Sequence, residues 1–94
     1  MQTLNPGASA AQSAKRVKAL RIALINALSA HLESCLDEHT KQGDLAERLG
    51  LSRPRLNQLL KKKVELFSLD SLTAIAARAG LTVRLTVARP YKRG

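Results

Sequence analysis

The stretch KQGDLAERLGLSRPRLNQLL, residues 41–60, decides the fold of this chain. Apolar residues recur in it at three- and four-residue spacing, which predicts two short helices over about residues 42–49 and 53–61. Gly50 lies between them and is the residue type that most readily takes the positive φ of a helix end. Ser52 is a favourable N-cap for the second helix. The stretch therefore predicts two short helices joined by a tight turn.

The second predicted helix has two different faces. Leu56, Leu59 and Leu60 share one side and are expected to pack inward, while the other side carries polar and basic residues. Two short helices with a tight glycine-containing turn are typical of a helix-turn-helix. In that motif the outward face of the second helix enters the DNA major groove.

The same stretch resembles the Xre (lambda-repressor-like) helix-turn-helix family. The positions that carry the resemblance are Gln42, Leu45, Ala46, Leu49, Gly50, Ser52, Leu56 and Leu59. The segment VELFSLDSLTAIAARAGLTVRLTV, residues 64–87, resembles a narrower branch, the HigA-type antitoxins. Together the resemblance covers about residues 20–88. Lys62 departs from the family, which usually has a turn glycine there, so a different local turn is expected.

The resemblance implies a set of DNA-contacting residues. Arginine suits guanine, and asparagine and glutamine suit adenine, because each pairs two donors or acceptors with the base edge. The base-contacting candidates are Arg53, Pro54, Asn57 and Gln58. The phosphate-contacting candidates are Gln42, Arg55, Lys61, Lys62 and Lys63.

The rest of the chain divides into a domain and two flanking segments. Residues 1–13 are small and polar, and are predicted to be disordered. Residues 14–80 are predicted to form the helix-turn-helix domain, with a first helix over about residues 14–37 and a last one between Ser68 and Gly80. The expected fold is an all-α, lambda-repressor-like bundle of four to five helices, followed by a strand and a basic tail over residues 81–94.

The period of the sequence changes to two after Gly80, which predicts one amphipathic strand over residues 81–87. A lone strand leaves its backbone edges unpaired. We therefore expect it to pair with a second copy of itself across a twofold axis. The dimer contacts would be Leu81, Val83, Leu85 and Val87. The alternative is that the segment extends over its own helices.

Charge and cysteine content limit the function classes. Sixteen Lys and Arg against seven Asp and Glu give a net charge of +9, which predicts an anionic partner such as nucleic acid or a membrane surface. Residues 51–63 contain five basic residues and no acidic one. No apolar run is long enough to span a bilayer. Cys35 is the single cysteine, which favours the cytoplasm. Residues 1–32 are basic without an acidic residue and so also resemble a transit peptide, but the first core helix accounts better for the same stretch.

Two other kinds of site are considered and set aside. His31, Cys35 and His39 follow each other at four-residue spacing, as metal ligands on a helix do, but no fourth ligand is apparent. We find no nucleophile with a base and no glycine-rich phosphate loop. We therefore expect no metal, no cofactor and no enzymatic activity.

The function predicted from these features is that of a sequence-specific transcriptional repressor, a homodimer on palindromic double-stranded DNA. The resemblance implies an added role as an antitoxin that neutralises a RelE/HigB-type toxin and represses their shared promoter. One alternative is a stand-alone phage or plasmid regulator without a toxin. The other is a protein-interaction module without DNA binding.

Overall fold

The computed structural model of the chain describes residues 6–86, and within them the architecture is all-α. The helices are α1 (Pro6–Cys35), α2 (Gln42–Leu49), α3 (Arg53–Leu60) and α4 (Leu69–Arg78), with a single 3-10 turn at Val64–Leu66. The long α1 packs against α3 and α4, and the shorter α2 packs against the same two helices. The predicted helical bundle is confirmed.

Among the described residues, the core is aliphatic apart from one aromatic ring. Its fully buried side chains come from all four α-helices and from Phe67, which follows the 3-10 turn. Leucine, isoleucine and alanine fill such a core well because short helices can approach closely through them. The buried apolar residues are Ile25, Leu28, Leu32, Leu45, Ala46, Leu49, Leu56, Leu59, Phe67, Leu72, Ile75 and Ala76.

Helix α1 begins earlier than the sequence predicts. Residues 6–13 belong to α1, so the prediction of disorder is wrong for them, and residues 1–5 lie outside the described part of the chain. Alanine is the best helix former, and adding residues to an existing helix costs far less than nucleating one. Pro6 suits a first helical position because the missing N–H would have no partner there.

The predicted C-terminal strand is also wrong over residues 81–86, which have no regular secondary structure, and Val87 lies outside the described residues. A strand needs a neighbouring backbone to satisfy its N–H and C=O groups, and the described part of the chain offers none here. Leu81 and Val83 instead pack against the helical core, as in the alternative interpretation. Leu85 is 65% exposed. The structure thus gives no support to strand pairing across a dimer.

The turn after α3 has the geometry that a glycine would give it. Lys62 takes φ 59°, in the left-handed region. Its N–H donates to the Leu59 carbonyl at 2.9 Å, and the Lys63 N–H donates to the Gln58 carbonyl at 3.1 Å. This pair of bonds is the Schellman motif. The expectation of a different turn at Lys62 is therefore wrong: the turn is kept, and a lysine occupies its strained position.

Candidate nucleic-acid interface

The turn between α2 and α3 is closed by backbone bonds and by a side chain from α4. Gly50 has φ 70°, and its N–H donates to the Glu47 carbonyl at 3.1 Å, while the Leu51 N–H donates to Ala46 at 2.8 Å. Arg78 donates from Nη1 to the Leu49 carbonyl at 3.1 Å. The last helix of the bundle thereby holds the end of α2 in place before the chain enters α3.

Helix α3 is anchored by its cap and by two leucines. The Ser52 Oγ accepts the Arg55 N–H at 3.2 Å, so one of the free donors at the helix start is satisfied. Pro54 lies within the first turn, where its missing N–H costs nothing. Leu56 and Leu59 are completely buried. Because one side of α3 is fixed in the core, its opposite side is held outward.

The four base-contacting candidates all lie on α3, three of them exposed. Arg53, Pro54 and Asn57 are exposed, and Gln58 is half-buried. The Arg53 side chain lies along α2, with its Cδ 3.7 Å from where a Cβ on Gly43 would be. At that separation a Cβ would make ordinary van der Waals contact, so the first arginine of α3 lies close beside the first turn of α2.

The phosphate-contacting candidates other than Arg55 fall at the two ends of the motif. Gln42 is the first residue of α2, where backbone N–H groups and the helix dipole favour an anion. Lys61, Lys62 and Lys63 follow α3 directly and are all exposed. The exposed cations thus lie beside the candidate base-reading face, an arrangement that suits contacts to the phosphates flanking a groove.

Arg55 differs from the other phosphate-contacting candidates. It is half-buried, and its guanidinium lies over the Phe67 ring, with Cζ 3.8 Å from the ring centroid. Its Nη1 donates to the Gln58 Oε1 at 3.2 Å. Phe67 is not among the site residues predicted from the sequence. The signal available was that it is the chain's one phenylalanine, placed next to the basic stretch.

The residues considered for metal binding come together only in part. His31 Nε2 lies 3.9 Å from Cys35 Sγ, one helical turn apart on α1. His39 lies beyond the end of α1, in a turn where its N–H donates to the Asp37 carboxylate. Over residues 6–86, no three candidate ligand side chains are grouped closely enough to hold a metal ion. In the same residues, no helix is long and apolar enough to cross a membrane.

Fold and site together define a DNA-binding domain of the helix-turn-helix class. The chain belongs to the helix-turn-helix domain family, whose family model matches residues 9–88 and so spans most of the sequence. Comparisons with curated proteins and with solved structures gave no match.

Proposed function

We propose that this protein is a cytoplasmic transcriptional repressor that binds specific double-stranded DNA through the major groove. The observation that carries the proposal is the outward face of α3, where Arg53 and Asn57 are exposed while Leu56 and Leu59 anchor the helix from beneath. Side chains of these two polar types are the ones that recognise guanine and adenine edges. Exposed Lys61–Lys63 supply the phosphate contacts that such binding needs.

We further propose that the active form is a homodimer. Helix α3 has eight residues, so one copy reaches only a few base pairs. Helix-turn-helix proteins gain specificity by binding two half-sites one helical turn apart, about 34 Å, with the symmetry of the protein matching that of the operator. A dimer also doubles the number of phosphate contacts.

The decisive experiment is selection of bound fragments from random duplex DNA. We expect a palindromic consensus with half-sites spaced by about 10 base pairs. Combining Arg53→Ala with Gln58→Ala should abolish the preference for that consensus. The matched control is Lys15→Ala, which removes an exposed cation from the part of α1 that precedes the core residues. Recovery of random sequences at low salt would refute sequence-specific readout, and no retention of DNA would favour a protein-interaction module.

The narrower role we propose is that of an antitoxin. Its support is the resemblance of residues 64–87 to HigA-type antitoxins. In that role the protein would neutralise a RelE/HigB-type toxin encoded beside it and repress the promoter of both genes. Expression of the neighbouring open reading frame should arrest growth, and co-expression of this protein should restore it. Growth unaffected by that neighbour would instead identify a stand-alone regulator.

A further inference from the structure

Arg55 is built into the protein rather than projecting from it. Its guanidinium rests on the Phe67 ring at 3.8 Å and donates to the Gln58 side chain at 3.2 Å. The neighbouring cations of the same stretch, Arg53 and Lys61, are exposed, whereas Arg55 is half-buried. A side chain held at two points is poorly suited to follow a phosphate, but it can orient the group that it contacts.

The ring beneath Arg55 is itself fixed. Phe67 is 1% exposed. Its N–H donates to the Val64 carbonyl at 3.2 Å, and its carbonyl accepts from Arg21 Nη1 on α1 at 3.3 Å. A cation over an immobile aromatic face is attracted by the ring quadrupole, and the attraction strengthens as water is excluded. Phe67 is therefore a rigid platform that fixes the plane of the Arg55 guanidinium.

The bond from Arg55 fixes the orientation of the Gln58 amide. A side-chain amide can turn over and exchange its oxygen and nitrogen, and each orientation presents a different pattern to a base. With Oε1 held by the guanidinium, the amide keeps a free NH₂ group and the second lone pair of Oε1. Adenine recognition needs one donor and one acceptor together, so a fixed amide loses less freedom on binding than a free one.

We infer that Arg55 is a positioning residue that orders Gln58 for base recognition, and not a phosphate contact. The inference rests on the proposed DNA-binding function. It replaces the role expected for Arg55 from the sequence, and it adds Phe67 to the residues on which specificity depends. Arginine is required at this position because lysine has neither the planar face that stacks on a ring nor the forked donors.

The test compares Arg55→Lys and Arg55→Met on the selected DNA site, with discrimination defined as the ratio of Kd values for a single-base variant and the intact site. The base pair concerned is the one at which Gln58→Ala loses discrimination. We expect Arg55→Lys and Arg55→Met each to lower discrimination there on the order of tenfold. Discrimination at the base pairs read by Arg53 should be unchanged. A general loss of structure would instead lower discrimination at those base pairs as well.

A second readout separates positioning from phosphate contact. Losing a phosphate contact flattens the log–log salt dependence of binding by about 0.9 per contact. We expect no such change for Arg55→Met, whereas the matched control Lys63→Met should show it. In the Gln58→Ala background, Arg55→Met should lower discrimination no further, because its effect passes through that amide. Phe67→Leu should reproduce the loss without altering the charge.

Three results would overturn the inference. One is a flattened salt dependence for Arg55→Met with discrimination intact, and another is full retention of discrimination by Arg55→Lys. The third is an added loss of discrimination in the Gln58→Ala background. None of them would affect the proposed repressor function, which fails separately if the unaltered protein shows no preference for any DNA sequence.

Discussion

Three of the helices end in the same kind of turn, but not with the same residue. Gly50 after α2 and Gly80 after α4 have φ values of 70° and 81°, and Lys62 after α3 has 59°. Each is followed by the same pair of backbone bonds, from the left-handed residue and from the next one. Only glycine takes this conformation without a steric cost from Cβ. Lys62 thus carries strain in a position where it is also a cation beside the candidate base-reading face.

Replacing Lys62 with glycine should stabilise the fold. Relief of the left-handed strain, less the greater entropy that glycine has in the unfolded chain, gives about 0.5–1 kcal/mol. The measurement is the urea midpoint of unfolding. Lys61→Gly is the matched control. It also removes an exposed lysine, but Lys61 has φ −86° and therefore no left-handed strain to relieve. Equal effects of the two substitutions would show that charge, and not backbone strain, determines stability here.

Replacing Gly50 with alanine should cost more stability than the same change at Gly80. Both require the left-handed conformation, which costs an L-residue about 1–2 kcal/mol. A Cβ at Gly50 would lie 2.9 Å from the Arg78 Nη1, whereas nothing lies within 4 Å at Gly80. Arg78 would have to move and lose its bond to Leu49, adding about 1 kcal/mol.

Thermal unfolding of the Gly50→Ala and Gly80→Ala proteins in an Arg78→Ala background provides the control. There the two alanine substitutions should be equally destabilising. A difference that persists without the arginine would mean that the contact between α4 and the end of α2 is not its source.

At the scale of elements, α3 depends on its surroundings. Isolated helices of eight residues are not stable in water, because nucleation costs more than one or two turns recover. The order of α3 therefore comes from Leu56 and Leu59 in the core and from the Ser52 cap. The rigidity of the face proposed to recognise DNA therefore depends on these two buried leucines and on this cap.

Removing the cap should loosen the start of α3. We expect Ser52→Ala to destabilise the protein by about 1 kcal/mol, because the Arg55 N–H loses its acceptor. Ser52→Asn should retain stability, since asparagine is an equally good N-cap. Chemical denaturation measures both, and hydrogen exchange of the first amides of α3 should be faster only in the alanine variant. Unchanged hydrogen exchange in the alanine variant would contradict the role of the Ser52 side chain in stabilising the start of α3.

At the scale of the whole molecule, the positive charge determines how binding responds to salt. The net charge is +9, and the exposed lysines after α3 lie beside the candidate base-reading face. For the proposed homodimer, Lys63→Met removes two phosphate contacts. The slope of log Kd against log salt should therefore fall by about 1.8, and by about 0.9 if one copy binds alone. Lys15→Met is the control and should leave the slope unchanged, because this exposed lysine lies in the part of α1 that precedes the core residues.

For the proposed homodimer, the apolar surface offers a place for the second copy. A groove between α1, α4 and residues 81–85 is lined mainly by apolar side chains, among them Leu20 and Leu85, which are 44% and 65% exposed. Covering such a groove removes apolar surface from water. Leu85→Glu should therefore shift the sedimentation of the protein from dimer to monomer. Leu66→Glu is the control, as that residue is 45% exposed and lies outside the groove lining. A dimer unaffected by Leu85→Glu would exclude this groove as the interface.

Local signals in the sequence were sufficient to predict most of the fold. The bounds of α2 and α3, the cap at Ser52 and the left-handed turn at Gly50 follow from residue type and spacing, which act over only a few residues. The outward position of the base-contacting candidates follows from the same pattern, because fixing one face of a helix determines the other, while their role in base contact is what the family resemblance implies. The start of α1 was missed because helix elongation is decided by small differences in propensity.

What only the tertiary structure decided involves residues far apart in the chain. Residues 81–86 could form a strand only beside a partner backbone. Leu81 and Val83 pack against the helical core instead. The contact of Arg55 with Phe67 likewise joins α3 to the segment after the 3-10 turn. Sequence patterns record which side of an element is apolar, but not which distant group meets it. Residues close together in the sequence therefore determine the helix-turn-helix. The orientation of side chains on its candidate base-reading face depends on packing against residues far away in the chain.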